Sequence, residues 1–154
     1  MVGCDCAEFM TSPENVVARR TFPAEHEEIV RFSRRKTPFC HPGVMMKKSK
    51  ILEAGNYQDY YLVEDYDLFV RMLEQGSRGC TKKEYLIFQR VNAEFYQRRG
   101  GWKYVKTLLR FNLEMYRRGW TGLPDLLIRS AGNIVTGMSP GFIRRQIYAK
   151  LLRK

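Results

Sequence analysis

Every extended pattern in this chain lies before residue 92, and everything after Arg98-Arg99-Gly100-Gly101 reads as helix. A chain that mixes strands and helices over its first part must build a sheet there, yet the strands are too few for a complete parallel α/β domain. Two explanations stay open: a small, unusual domain, or a sheet whose N-terminal part lies outside the chain. The fold class expected is α/β, a partial mixed sheet at 1–100 followed by a basic helical extension at 101–154.

Val2 to Phe9 alternates loosely, breaks at Thr11-Ser12-Pro13-Glu14-Asn15 and resumes over Val16 to Arg20, which predicts a hairpin. Pro23 and the acids up to Glu28 suit a helix's first turn, with Ile29, Val30 and Phe32 apolar and Arg34-Arg35-Lys36 closing it before Pro38. A loop, Phe39-Cys40-His41-Pro42-Gly43, leads into Val44-Met45-Met46, which predicts a short buried strand, and a short helix then runs from Ser49 to Gly55. Residues 56–63 look irregular and aromatic. Phe69, Met72 and Leu73 form the inward side of a helix from about Glu64 to Gln75, stopped by Gly76, and Tyr85 to Val91 is the clearest strand. Three helices follow: Trp102–Arg118, one with Pro124 in its first turn, and one opened by Ser139-Pro140 that reaches the C-terminus.

With 154 residues, 44% hydrophobic and 28% charged, the composition suits one ordinary globular core. No run approaches the roughly 18 apolar residues of a membrane span, and Met1 to Cys6 lacks the regions of a signal peptide, so a cytoplasmic location is expected. Cys4, Cys6, Cys40 and Cys80 include no Cys-x-x-Cys, and only His26 and His41 are available to complete a site, so reduced thiols are expected in place of a zinc centre. The net charge of +11 calls for anionic partners, and it is uneven: acids concentrate before residue 95 and the remainder is strongly basic.

Glu64-Asp65-Tyr66-Asp67 places three carboxylates where a helix begins. There the free N–H groups and the positive end of the dipole hold carboxylates ionised. Two roles fit. The acids satisfy the first turn, or one of them, aimed into a cleft, is a general base for a hydroxyl nucleophile.

The blocks His41-Pro42-Gly43-Val44-Met45-Met46-Lys47-Lys48, Ala54-Gly55-Asn56-Tyr57, Glu64-Asp65-Tyr66-Asp67-Leu68-Phe69-Val70-Arg71 and Gly76 follow one another in an order and spacing that resembles the second half of a family 2 glycosyltransferase. The resemblance covers residues 2–100. It implies a GT-A fold, in which a nucleotide-binding α/β sheet is fused to an acceptor-binding half, and sugar transfer from a nucleotide-sugar donor with inversion. Asp65 then matches the catalytic base, with Glu64 supporting or positioning the acceptor. The family's nucleotide-binding strands and the Asp-x-Asp motif that holds its Mg or Mn ion are not in this chain. The resemblance therefore implies a fragment, or one piece of a split enzyme, with the cation's ligands elsewhere. Asp65-Tyr66-Asp67 is formally Asp-x-Asp, but it opens a helix, whereas a diphosphate-bound cation needs carboxylates at a strand end.

His41 falls on the acceptor side of the family's cleft, as a hydrogen-bond partner for a sugar hydroxyl or simply as the residue that fixes the turn before Pro42. Tyr57, Tyr60 and Tyr61 are candidates to stack on sugar faces, Tyr61 foremost, or to pack inward. Arg98 and Arg99 beside two glycines suit a donor diphosphate, or form a solvated pair before a helix. Phe142, Ile143, Ile147 and Leu151 against Arg144, Arg145, Lys150, Arg153 and Lys154 give a basic amphipathic helix suited to an anionic membrane or to the protein's own core. The function expected is transfer to a cell-surface polysaccharide or glycolipid precursor, peripherally at the inner membrane face. Nucleic acid is not expected as a partner, because the acidic cluster would repel phosphates and no RNA- or DNA-binding motif occurs. A basic nucleic-acid module and a non-catalytic remnant that binds membrane or a partner are the alternatives.

Overall fold

The computed structural model describes residues 1–147, in two compact units: Met1–Asp59 with Glu64–Arg90, and Tyr60–Val63 with the chain from Val91 on. The first unit is a mixed sheet with helices, so the class is α/β, as expected. Its strands are β1 (Val2–Phe9), β2 (Val16–Arg20) and β3 (Cys80–Arg90), in the order β2-β1-β3, with β2 antiparallel and β3 parallel to β1. Gly3 to Phe9 are all buried, which explains the loose alternation of this strand: covered on both faces, it has no solvent side to mark. Its buried Asp5 is neutralised by the Lys83 ammonium on β3 at 2.9 Å, and the same carboxylate accepts the Phe22 N–H at 2.9 Å.

Four short helical segments complete the unit: α1 (His26–Ser33), a 3-10 turn at His41–Gly43, α2 (Lys48–Glu53) and α3 (Glu64–Glu74). Phe69, Met72 and Leu73 of α3 are buried, as their spacing predicts. The Tyr66 hydroxyl donates to the Ser33 carbonyl at 2.6 Å and ties α3 to α1. Phe39 is fully buried, edge-on to Phe69 at 5.4 Å between ring centroids. The ring needs glycine beside it, since a Cβ on Gly3 would stand 2.6 Å from its Cδ1. Burying such a ring stabilises the fold by about 1.5–3 kcal/mol.

Three expectations are corrected here. Val44-Met45-Met46 is not a buried strand: Met45 makes a single bridge to Val2 and is 75% exposed, because the 3-10 turn before it and α2 after it leave no room for a ladder. The first helix opens at His26, with Glu27 and Glu28 in its first turn, so Pro23 precedes it. β3 begins at Cys80, ahead of the apolar Tyr85, because pairing with β1 and the Asp5–Lys83 ion pair extend the strand through a charged stretch.

The second unit is helical: α4 (Ala93–Gln97), α5 (Trp102–Arg117), α6 (Leu123–Met138) and α7 (Gly141–Ile147). The Asn92 side chain caps α4 by accepting the Phe95 N–H at 2.9 Å, a short helix that the sequence did not predict. Tyr104, Val105, Phe111, Asn112 and Met115 give α5 its buried side. The expected amphipathic last helix is also corrected. Arg144 does not face outward: its guanidinium is buried and donates to the carbonyls of Thr136, Tyr96, Gly137 and Ser139, capping the negative end of α6, while Phe142 is 69% exposed. Lys150, Leu151, Arg153 and Lys154 lie outside the described residues. No helix among the described residues is long and apolar enough to cross a membrane.

Candidate functional site: a carboxylate, an imidazole and a phenol at the start of α3

Gly43 sets the first wall of the site. A Cβ there would come within 2.6 Å of Cys4 Sγ and 2.7 Å of Ile87 Cγ1, so only glycine lets the His41–Gly43 turn lie flat on the sheet. The turn points His41 toward α3, where its ring meets Phe69 edge-on with centroids 6.1 Å apart. The second wall is the loop after α2. Gly55 and Asn56 both adopt the left-handed conformation, at φ 79° and 57°, and so reverse the chain into Tyr57. Arg71 of α3 holds this reversal by donating to the carbonyls of Ala54 and Asn56.

Three polar side chains meet between these walls. Asp65 Oδ1 accepts the Tyr66 N–H at 2.8 Å, which leaves Oδ2 facing His41 Nδ1 at 3.9 Å. His41 Nε2 is 3.0 Å from the Tyr57 hydroxyl. With its proton on Nδ1, the imidazole accepts from Tyr57 and presents an N–H toward Asp65. The 3.9 Å gap is too long for a direct hydrogen bond. Burial pushes the Asp65 carboxyl above the usual carboxylate range, against the lowering influence of the Tyr66 N–H and of His41, and Glu64 adds to the rise. This corrects the expectation that the helix end keeps Asp65 readily ionised: desolvation outweighs the backbone N–H groups that its carboxylate meets there. Burial, followed by the charges of Asp65 and Glu64, likewise raises the Tyr57 hydroxyl.

The third acid of the cluster has another task. Asp67 is fully buried and pairs with Arg71 Nε at 2.8 Å, one turn along the helix. With Asp67 committed to Arg71 and Asp65 Oδ1 to a backbone N–H, the Asp65-Tyr66-Asp67 triplet does not fit a divalent cation. Among the described residues no group of three or more His, Cys, Asp or Glu is placed to hold a metal ion.

Of the residues singled out from the sequence, Asp65, Glu64 and His41 belong to the sheet unit, with Glu64 half-buried beside Asp65. Tyr61, Arg98 and Arg99 belong to the helical unit. There Lys103 Nζ lies 4.6 Å from the centre of the Tyr61 ring, and Tyr104 meets that ring edge-on at 6.4 Å. Arg99 stacks on Phe95 at 3.7 Å and donates to the Phe95 carbonyl, with Arg98 at 5.5 Å from the same ring. The sequence offered Tyr57 as a sugar-stacking or packing residue and not as the hydrogen-bond partner of His41. The signal for it was the Gly55-Asn56 pair, a dipeptide suited to left-handed backbone and therefore to a sharp change of direction just before it.

The chain is 31% identical over 147 residues to a UDP-Gal:alpha-D-GlcNAc-diphosphoundecaprenol beta-1,3-galactosyltransferase of Escherichia coli, a match covering 96% of this chain and 53% of that protein. It is 31% identical over 152 residues to an uncharacterized glycosyltransferase of Haemophilus influenzae, covering 99% of this chain and 56% of the other. An amylovoran biosynthesis glycosyltransferase of Erwinia amylovora is 30% identical over 135 residues, covering 85% of this chain and 49% of that protein. The chain thus spans about half the length of the curated relatives it matches, and those relatives are glycosyltransferases. No protein-family model and no solved structure matches it.

Proposed function

We propose that this chain is the acceptor-side half of an inverting, nucleotide-sugar-dependent glycosyltransferase of family 2 and the GT-A fold, with Asp65 as its general base. The observation that carries this reading is the pairing of Asp65 Oδ2 with His41 Nδ1 across 3.9 Å. An acceptor hydroxyl oxygen placed about 2.8 Å from both atoms bridges that gap, donating to the carboxylate and accepting from the imidazole N–H. The oxygen then attacks the anomeric carbon from the face opposite the leaving group. The bond from that carbon to the donor phosphate breaks, the nucleoside diphosphate leaves with the electron pair, and the hydroxyl proton passes to Asp65 Oδ2. A carboxylate raised in pKa by burial is a better proton acceptor than an ordinary one, which suits this step. Tyr57, behind His41, fixes the tautomer that presents Nδ1–H.

The names of the relatives point to a polysaccharide or diphosphate-lipid-linked acceptor. The donor site and the Mg or Mn that the resemblance implies are assigned to sequence outside this chain, or to another chain. Tyr61, Arg98 and Arg99 enter as contacts to acceptor and donor phosphate. The test is Asp65→Asn in the complete enzyme, with transfer and nucleotide-sugar binding measured separately. The variant keeps the oxygen that accepts the Tyr66 N–H but cannot take a proton, so transfer falls by about 10³-fold while donor affinity is unchanged. Near-normal turnover would remove Asp65 from the mechanism.

A further inference from the structure

α6 is folded inside out. Its outward residues include Leu123, Leu127, Ile128, Val135 and Met138, between 52% and 70% exposed, and the stripe continues into Phe142 of α7. Its inward side is polar: Ser130 Oγ accepts from the Asn112 amide at 3.3 Å, and the Arg129 guanidinium lies 5.6 Å from the centre of the Phe111 ring. Gly137 is the buried residue of the helix, and a Cβ there would stand 2.4 Å from Val105, so α5 and α6 meet closely at that point. The hydrophobic effect does not leave five large apolar side chains in water along one 16-residue helix without a partner.

The charge of this part of the chain points to the chemistry of the partner. Residues 96–154 carry thirteen Lys and Arg against two acids, Glu114 and Asp125, while residues 1–95 hold fourteen of each sign. The whole +11 of the chain therefore belongs to the part that bears the apolar face. Glu114 is itself paired with Arg117 at 3.2 Å. In the same unit α5 exposes Trp102 and Tyr116, aromatic side chains of the kind that favour lipid headgroups, together with Lys106.

We infer that the outward face of α6 is a docking surface for an anionic lipid bilayer: the helix lies in the plane of the interface, its apolar side chains entering the headgroup–acyl boundary while the net positive charge of residues 96–154 attracts the lipid charge. A helix of this length with a polar inward side lies on a membrane and does not span it. The inference rests on the surface of the helical unit alone and not on the transfer chemistry, so the two fail separately.

The test is co-sedimentation of the 154-residue chain with vesicles of phosphatidylglycerol and phosphatidylethanolamine, compared with phosphatidylcholine alone. Binding to the anionic vesicles is expected, weakening in high salt by about fivefold for each cation contact screened. Ile128→Glu with Val135→Glu, at positions already facing solvent, is expected to lower it at least about tenfold without changing the melting temperature. Leu86→Glu, at an exposed position on β3, is expected to leave it unchanged. Three results overturn the inference: no binding to anionic vesicles; binding that the double variant leaves intact; or, by analytical ultracentrifugation, a lipid-free dimer that the double variant dissolves, which would assign the face to a second copy.

Discussion

Asp65 and Asp67 sit two positions apart on the first turn of α3 and meet opposite surroundings. Asp67 faces the core, is fully buried and is answered at 2.8 Å by Arg71, which also holds the Ala54–Asn56 loop. Asp65 faces the His41 turn, keeps 24% of its side chain exposed, and has an imidazole 3.9 Å away where Asp67 has a guanidinium. The first is a structural ion pair. The second is a carboxylate held in a raised-pKa state at a cost to folding. Burying a carboxylate without a full counter-charge is unfavourable, and a protein that retains one gains something other than stability from it.

The comparison breaks most visibly at its core side. Asp67→Asn leaves the largely buried Arg71 guanidinium without its anion, and stability is expected to fall by about 3 kcal/mol, measured by urea unfolding, with the Ala54–Asn56 loop loosened. Gly43→Ala comes next. The added methyl meets Cys4 and Ile87, so about 1–3 kcal/mol of stability is lost and the His41 turn is displaced, which reads out as lower transfer in the complete enzyme. Tyr57→Phe removes one hydrogen bond to His41, about 0.5–1.5 kcal/mol, so kcat/KM falls only by about two- to tenfold with the fold intact.

The smallest effect has the opposite sign. A carboxyl with a raised folded-state pKa binds its proton more readily in the native chain than in the unfolded one. Its favourable contribution is complete below the unfolded pKa and is lost as pH rises through the folded value. At neutral pH Asp65→Asn therefore costs no stability and is expected to raise it, by less than about 1 kcal/mol. Thermal melts of the two Asn variants would separate the two acids by sign. A fall for Asp65→Asn as large as that for Asp67→Asn would erase the distinction.

Much of the frame was legible in the sequence, and the electrostatics were not. The hairpin, α3 with its inward Phe69, Met72 and Leu73, and the helices from Trp102 on follow from periodicity and punctuation, which are local. Lys82-Lys83-Glu84 does not look like a strand, because what makes it one is Asp5, some eighty residues earlier. Val44-Met45-Met46 has a strand's composition and lacks a partner for more than one bridge. Pro124 marked the start of α6 but not its inverted orientation, in which Ser130 meets Asn112 and Arg129 lies over Phe111. At the site, the acids and His41 were visible as residues. The sign of the Asp65 shift was not, because it depends on burial created by segments distant in sequence.

The most direct test of the central claim is the pH dependence of kcat/KM for transfer in the complete enzyme, with and without His41. On the proposed mechanism transfer requires ionised Asp65, so the rate is expected to fall on the acid side through a single ionisation above the ordinary carboxylate range. Because His41 lowers the Asp65 pKa, His41→Ala should move that limb to higher pH. An acid limb in the ordinary carboxylate range, unmoved by His41→Ala and still present in Asp65→Asn, would contradict the account.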